Sequence, residues 1–291
     1  MRPLTSLARI EPEPARRTPD PDLSEAIGDA AAAALLRELA AWPKPGLVSP
    51  VDSGSHRDMD AATLRASAAA LRPYFAELAS AGREDAEMAR LRAIGVRAEA
   101  AMLAATKGVN AHRGAIFGLG LMAAAAGATS GIPDAHLGCH VVRRWSESIL
   151  KGPIPQSSHG THALRRFGAG GARLEAARGF PSVYEVGLPA LRAGRLLAGE
   201  SGAAVQACFA LIASVVDTNL LHRGGADGAR YAADSATDFL AAGGVGAGDW
   251  MARATAIHAS FVARNLSPGG CADLLAMTLF VDSLEAGLAL R

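Results

Sequence analysis

The first residues that could do chemistry lie in a loop over residues 42–60. Lys44, His56 and Asp58 place charges of both signs and an imidazole close together there. The prolines at the start of this loop exclude a regular helix, because proline lacks the backbone N–H and restricts the residue before it. Loops held by rigid elements carry many binding and catalytic groups. The alternative interpretation is an ordinary solvated connection.

A second polar cluster precedes an alanine-rich stretch that is typical of a helix. Asn110, His112 and Arg113 stand where that helix is expected to begin. Backbone N–H groups at a helix start lack partners and attract anions, and an arginine can grip a phosphate. The alternative is that Asn110 only caps the helix and Arg113 is solvated.

A third cluster follows the apolar run over residues 205–216. Asp217 stands at the end of that run, and a carboxylate in apolar surroundings needs a hydrogen-bonded partner, a counter-ion or a metal. Asn219 and Arg223 are four residues apart, so they share one face of a helix. A plain ion pair is the competing explanation for Asp217.

A fourth cluster begins the last predicted helix. Ser267 is predicted as its N-cap and Pro268 as its first residue. Gly269 and Gly270 then leave backbone N–H groups uncovered, so a phosphate can approach them. Asp273 is an acid on an otherwise apolar stripe, which favours either placement in the first helical turn or a metal contact.

Together these clusters offer cations, backbone donors and carboxylates at several helix ends. A polyphosphate with a divalent cation requires such groups. His159 and His162 could also bind a metal, but a polar loop is the favoured interpretation because no third ligand stands at a fixed spacing.

The elements that must position these clusters are predicted to be helices. Alternating β-branched runs are nearly absent, so we expect an all-α, single compact multi-helix domain over residues 23–291, after a flexible tail over residues 1–22. The stretch between residues 151 and 189 is predicted to be irregular. Helices are predicted over residues 23–42, 60–82, 86–106, 115–126, 132–150, 188–197, 202–221, 231–241, 249–265 and 267–290.

Composition excludes several classes of protein. The net charge is +1, so nothing favours nucleic acid or an anionic membrane. The longest apolar run, residues 115–128, is shorter than the roughly 20 residues that span a bilayer. Three widely spaced cysteines and the lack of a signal segment predict a cytoplasmic protein with reduced thiols. A loose dinucleotide fingerprint begins at Gly118, but it lies inside a helix pattern.

Several motifs, taken in order, resemble the triphosphoribosyl-dephospho-CoA synthase family. The resemblance runs from about residue 30 to the C-terminus and is closest to the malonate decarboxylase (MdcB-type) branch. Two residues depart from the family pattern: Ala111 replaces a threonine, and Lys107 stands where glycine is common. The matching motifs cover residues 43–48 with 54–59, 108–114, 175–181, 217–225 and 265–275.

This resemblance implies an all-helical enzyme that joins ATP to 3'-dephospho-CoA. The 2'-hydroxyl of dephospho-CoA displaces adenine from the ribose of ATP, and the triphosphate is kept. The product is the precursor of the prosthetic group carried by the acyl carrier subunit of malonate decarboxylase. Mg²⁺ is the expected cofactor, and a homodimer is left open.

The resemblance also suggests roles for the clustered residues. Proton acceptance is assigned to Asp58 or Glu175, with His56 or His112 as the rival base. Asp217 and Asp273 are expected to hold Mg²⁺, and Arg173 to contact the phosphates of dephospho-CoA. The expected triphosphate contacts are Lys44, Asn110, Arg113, Asn219, Arg223, Ser267, Gly269 and Gly270.

Two other classes of function stay open on the sequence alone. A Mg²⁺-dependent helical hydrolase of ribosyl or diphosphate bonds would use the same acids and cations. A non-enzymatic helical scaffold would instead expose apolar stripes and show no affinity for ATP.

Overall fold

The computed structural model describes residues 21–130, 136–153 and 170–287 of the chain. These residues are predominantly helical and contain no strand, as predicted. They also contain a π-helical turn over Ser182–Gly187 and a 3₁₀ turn over Gly244–Gly246. The α-helices of the described residues are α1 Pro21–Ala40, α2 Ala61–Arg83, α3 Met88–Ala105, α4 Arg113–Ala128, α5 Leu137–Lys151, α6 Gly171–Ala177, α7 Leu188–Ser214, α8 Thr218–Ala241, α9 Trp250–Ala263 and α10 Gly269–Glu285.

The two helices α4 and α10 form the centre of the domain. α4 packs against α1, α2, α3, α5 and α10, and α10 also packs against α1 and α7. Both helices are buried along most of their length, which matches their apolar sequences. Since α4 and α10 begin with two of the predicted polar clusters, this packing brings those clusters toward the middle of the molecule.

Small residues let α2 and α4 approach closely. A β-carbon placed on Gly82 would lie 1.9 Å from the carbonyl oxygen of Ala124. A β-carbon on Gly127 would lie 2.0 Å from the carbonyl oxygen of Ala79. Both distances are far inside van der Waals contact, so only glycine fits at either position.

The start of α2 agrees with the prediction in detail. Asp60 is the N-cap, and its carboxylate accepts a hydrogen bond of 2.8 Å from the Thr63 N–H. Met59 packs against the small cluster that contains Leu64, so the predicted hydrophobic contact across the helix start is present. The helix then continues through Pro73 to Arg83.

Several predicted helix bounds are wrong. The helix predicted over residues 202–221 ends at Ser214, and Asp217 caps a new helix, because its side chain competes for the backbone N–H groups that follow it. The region predicted as irregular contains α6 and the π-helical turn. α5 begins at Leu137 rather than at residue 132 in the sequence, and residues 131–135 lie outside the described part.

Some predictions fall on residues that the structure does not describe. The predicted tail lies outside the described residues up to position 20, and α1 begins at Pro21. His159 and His162 also lie outside them, as do the last four residues, 288–291.

The helical stretch Ser182–Ser214 was not identified from the sequence as a long apolar segment. It is the one stretch of the described residues that is long and apolar enough to cross a membrane by length and composition. Half of its apolar window is buried inside the domain, and its backbone leaves the helical region at Ala198 and Gly199. A core helix of this kind passes the same test of length and composition, so the finding is weak evidence for a membrane span.

Candidate active site at the starts of two helices

Asp217 joins the starts of α8 and α10. Its Oδ1 accepts hydrogen bonds from the N–H groups of Asn219 at 2.7 Å and Leu220 at 3.2 Å, inside its own helix. Its Oδ2 accepts a third, of 2.8 Å, from the N–H of Cys271 in α10. Burial raises the pKa of Asp217, while these three donors act in the opposite direction. The carboxylate therefore fixes two helix starts, 54 residues apart in sequence, side by side.

This arrangement corrects the predicted cap of α10. Ser267 does not cap the helix: the N-cap position falls on Pro268, which has no side chain able to accept a hydrogen bond. Asp217 supplies the missing acceptor from another helix. Ser267 is 2% exposed, and its Oγ lies 2.9 Å from Nε2 of His56.

The glycines that follow Pro268 lie directly against α8. A β-carbon on Gly270 would lie 3.0 Å from Oδ2 of Asp217, and one on Gly269 would lie 2.9 Å from Nδ2 of Asn219. The first intrahelical donor of α10 is the N–H of Ala272. Since Asp217 takes the N–H of Cys271, the N–H groups of Gly269 and Gly270 are the remaining donors at this helix start.

A chain of polar contacts connects α8 to the loop over residues 42–60. Arg223 donates from Nη1 to the carbonyl oxygen of Ser55 at 2.9 Å and lies 3.3 Å from Nδ1 of His56 through Nη2. Because arginine only donates, Nδ1 of His56 accepts, and Nε2–H of His56 then donates to Ser267. Burial and the Arg223 charge lower the pKa of His56, against the opposing charge of Asp58, so the ring is neutral near pH 7.

Asp58 lies at the solvent-exposed edge of these polar contacts. Its Oδ1 lies 3.5 Å from Nδ1 of His56, and its side chain is 63% exposed. The lone pair of His56 is already occupied by Arg223, so the imidazole is poorly placed to take a proton. Asp58 has an unhindered carboxylate instead.

Lys44 lies in the interior rather than on the loop surface. It is fully buried, and its ammonium group forms an ion pair with Glu38 of α1. Glu38 was not identified from the sequence, although a signal was present: it follows Ala31, Ala34 and Leu35 on the buried stripe of α1 at helical spacing. An acid on such a stripe requires a partner, and Lys44 supplies it.

Asp273 faces the start of α4. A β-carbon on Gly114 would lie 1.9 Å from Oδ2 of Asp273, and the nearby Ala115 N–H acts to lower the pKa of this carboxyl. Burial, with the nearby charges of Asp217 and Glu38, raises the pKa of Asp273 well above its usual value. Asp273, the acid on the predicted apolar stripe of α10, therefore lies against the first turn of α4.

These acids lie in the interior, where burial raises the pKa of both Asp217 and Asp273. Lys44 pairs with Glu38, and the described residues provide no ion-pair partner for Asp217 or Asp273. No group of three or more His, Cys, Asp or Glu side chains in the described ranges could hold a metal by itself. The donor set suits Mg²⁺ bound by one or two carboxylates together with substrate phosphates and water, which is how Mg²⁺ usually binds.

The three residues of the polar cluster before α4 have different partners in the structure. His112 is the N-cap residue of α4, 7% exposed, and its Nδ1 lies 2.7 Å from Oγ of Ser67 in α2. Burial and the Lys44 charge lower the pKa of His112 to about 4. Asn110 accepts from the N–H of Arg113 at 3.3 Å, and the Arg113 guanidinium forms an ion pair with Glu99 on α3. The side chain of Arg113 is therefore directed away from this cluster.

Arg173 and Glu175 of α6 have structural partners, at the end of α5 and in the π-helical turn respectively. Arg173 donates to the carbonyl oxygens of the last turn of α5 and the residues after it, at positions 149, 150, 152 and 153. Glu175 accepts a hydrogen bond of 2.8 Å from the N–H of Ser182 and so closes the turn after α6. Within the described residues, neither side chain contacts Asp217.

The sequence comparison places the chain in a family. Residues 24–291 match the model of the CitG family, described as ATP:dephospho-CoA triphosphoribosyl transferase. The chain belongs to this family of transferases.

Curated bacterial relatives are similar over most of their length. A protein of Stutzerimonas stutzeri is 40% identical over 91% of this chain and 93% of its own. A protein of Pseudomonas paraeruginosa is 41% identical over 93% and 94%, and one of Acinetobacter calcoaceticus is 38% identical over 87% and 88%. Each is named a probable 2-(5''-triphosphoribosyl)-3'-dephosphocoenzyme-A synthase. No solved structure matches the chain.

Proposed function

We propose that this protein transfers the triphosphoribosyl group of ATP to 3'-dephospho-CoA and releases adenine. The family and the names of the relatives support this reaction. The structural observation that carries the proposal is the joining of the α8 and α10 starts by Asp217, with two glycine N–H groups left beside it. Paired helix starts of this kind favour an anionic ligand such as a triphosphate.

The reaction forms one bond and breaks one bond. The 2'-oxygen of dephospho-CoA bonds to C1 of the ATP ribose as the bond from C1 to N9 of adenine breaks. Adenine leaves with the bonding electrons and gains a proton, and the attacking hydroxyl loses one. All three phosphates stay on the transferred ribose, so the chemistry is glycosyl transfer.

We assign the triphosphate to the start of α10. The N–H groups of Gly269 and Gly270 would bind phosphate oxygens. Asn219 lies against Gly269, and Arg223 contacts His56, whose other ring nitrogen contacts Ser267. The hydroxyl of Ser267 accepts from His56 and would donate to the same phosphate tail. Lys44 would act through its positive charge from the interior, because its ammonium group is paired with Glu38.

We assign proton acceptance to Asp58. His56 uses its lone pair toward Arg223, and Glu175 is bonded to the Ser182 N–H. Asp58 is exposed beside His56, within reach of a substrate hydroxyl at the loop surface. A carboxylate near the ribose would also stabilise the positive charge that develops as the glycosidic bond breaks.

Mg²⁺ fits the carboxylates of this site. Asp273 would hold it directly, and Asp217, which already accepts three hydrogen bonds, has room for one further contact, directly or through water. The bound ion would neutralise part of the triphosphate charge. The two aspartates keep the phosphate tail oriented by fixing the starts of α4, α8 and α10 relative to one another.

The biological purpose follows from the closer resemblance to the malonate decarboxylase branch. We infer that the product is consumed by a transferase that loads the acyl carrier subunit of malonate decarboxylase. The names of the relatives specify the synthase reaction and not its recipient. A cytoplasmic location and a homodimer stay predictions.

The test is adenine release from ATP with and without 3'-dephospho-CoA. We expect release that depends on dephospho-CoA and equals the amount of triphosphoribosyl product, with no free phosphate. Adenine or phosphate released equally well without dephospho-CoA would instead identify a hydrolase. An absence of both reaction and ATP binding would leave only a scaffold function.

A further inference from the structure

Ser67 and His112 form a buried pair that the proposed reaction leaves unexplained. Ser67 lies on α2 with 0% exposure, and its Oγ is 2.7 Å from Nδ1 of His112. Either atom could be the donor in such a contact, and the choice decides which ring nitrogen of His112 carries the proton.

The surroundings of Ser67 settle the direction. Other helical hydroxyls in this protein donate to the carbonyl oxygen one turn earlier, as Thr278 does to Leu274 and Ser235 to Tyr231, both at 2.8 Å. Among the described residues, Ser67 makes no such bond and has His112 as its one hydrogen-bond partner. If His112 donated, the hydroxyl proton of Ser67 would be buried without an acceptor, which folded proteins rarely tolerate.

Ser67 therefore donates to Nδ1, and the proton of the neutral ring resides on Nε2. That nitrogen has no hydrogen-bond partner within the described part of the chain, and the residue is 7% exposed. The positive charge of Lys44 acts on the ring, and His112 itself stands at the start of α4; both favour an anionic acceptor.

We propose that His112 is a neutral hydrogen-bond donor, held in the Nε2–H tautomer by Ser67, and that it binds a phosphate oxygen of ATP rather than accepting a proton. The role of Ser67 is that of a positioning residue, because it acts through His112. This inference rests on the proposed function for the identity of the ligand. The tautomer itself follows from the contact alone.

The first experiment measures the tautomer in the protein without substrate. Histidine labelled with ¹⁵N gives separate signals for protonated and unprotonated ring nitrogens, and the His112→Gln spectrum identifies those of His112. We expect unprotonated Nδ1 and protonated Nε2 in the wild type, and a mixture of tautomers in Ser67→Ala. Protonated Nδ1 in the wild type, or an unchanged ring in Ser67→Ala, would overturn the proposal.

The second experiment separates a donor from a base by kinetics of adenine release. In His112→Ala we expect the KM for ATP to rise about tenfold, with a smaller change in kcat. His112→Gln should recover much of this loss, because the glutamine amide offers an N–H at a similar position but cannot act as a base. An equal collapse of kcat in both variants would make His112 the base and contradict the proposal.

A failure of the proposed function and a failure of this inference give different results. If the wild type releases no adenine with dephospho-CoA, the proposed function is wrong, while the NMR result still decides the tautomer. If adenine is released but the ring is protonated on Nδ1, the function stands and this inference is wrong.

Discussion

At the scale of single residues, the site is defined by how each polar group is already bonded. His56 accepts from Arg223 and donates to Ser267, so neither ring nitrogen is left for proton transfer. Asp58 keeps an exposed carboxylate next to that ring. These contacts are the reason that we propose Asp58, rather than His56, as the base.

Asp58→Asn is expected to lower kcat for adenine release by about 10²–10⁴, the usual contribution of a general base. Stability should change little, because the side chain is largely exposed. The measurement is steady-state adenine release with saturating dephospho-CoA. Glu175→Gln serves as the comparison and should lose less activity. Normal kcat in Asp58→Asn would remove Asp58 from the mechanism.

The buried His112 ring gives a pH dependence of stability with a definite sign. Its pKa is about 4 in the folded protein, against 6.5 for an ordinary histidine, so below pH 6.5 the unfolded chain binds a proton that the folded chain does not. The free energy of unfolding should therefore fall by up to about 3 kcal/mol as the pH drops from 6.5 to 4.

Urea unfolding at several pH values measures this effect. His112→Gln lacks the titrating ring, so its free energy of unfolding should fall less steeply than that of the wild type over this range. Parallel curves for the two proteins would show that the His112 ring is not held neutral.

At the scale of elements, the site depends on helix starts that are capped from a distance. Asp217 accepts hydrogen bonds from N–H groups of α8 and α10, and Asp273 lies against the first turn of α4. The sequence identified Asp217 as requiring a partner and Asp273 as an acid on an apolar stripe. It could not identify the partners, because they are backbone groups of helices that approach only after packing.

Ser267 illustrates the same limit. A serine before a proline is typical of a local N-cap, and that prediction used neighbouring residues alone. In the structure the cap of α10 comes from Asp217, and the hydroxyl of Ser267 is bonded to His56. By contrast, the Asp60 cap was predicted correctly because both partners lie within one helical turn.

Asp217→Ala is expected to destabilise the protein by about 3 kcal/mol. It removes the side-chain cap from two helices, each worth about 1 kcal/mol, and leaves a buried N–H group without an acceptor. Urea denaturation measures the loss.

Asp60→Ala is the matched control, because it removes an exposed cap from α2 alone. Its loss of stability should be clearly smaller than that of Asp217→Ala. Equal losses would mean that the hydrogen bond from Cys271 to Asp217 contributes nothing.

At the scale of the whole molecule, close helix packing gathers the site. α4 and α10 lie at the centre, and their starts bring together residues from four separate stretches of sequence. The near absence of alternating β-branched runs predicted the all-α class, and the alanine and glycine residues predicted close helix packing. It could not predict which helices pair, since small residues are spread along the whole chain.

Gly82→Ala is expected to cost about 2 kcal/mol or more, because the new methyl group would meet the carbonyl oxygen of Ala124. Gly95→Ala on α3 is the control: the nearest atom to its β-carbon would be Cγ2 of Ile116 at 3.9 Å. Since alanine favours a helix over glycine, Gly95→Ala should gain about 0.5–1 kcal/mol.

Thermal and urea unfolding of both variants test the packing of α2 against α4. A neutral or stabilising Gly82→Ala would show that these two helices lie farther apart than described. A destabilising Gly95→Ala would contradict the open space beside α3.

The central claim is that the joined starts of α8 and α10 bind the triphosphate of ATP. The most direct test is kcat/KM for ATP in dephospho-CoA-dependent adenine release, compared between Arg223→Met and Arg230→Met. Arg223 contacts His56 and Asn265, just before the start of α10, while Arg230 lies farther along α8 in an exposed pair with Asp227.

We predict that Arg223→Met lowers kcat/KM at least about tenfold, the effect of losing one hydrogen bond to a charged group, and that Arg230→Met matches the wild type. Equal values for Arg223→Met and Arg230→Met, with both proteins folded, would contradict the placement of the triphosphate.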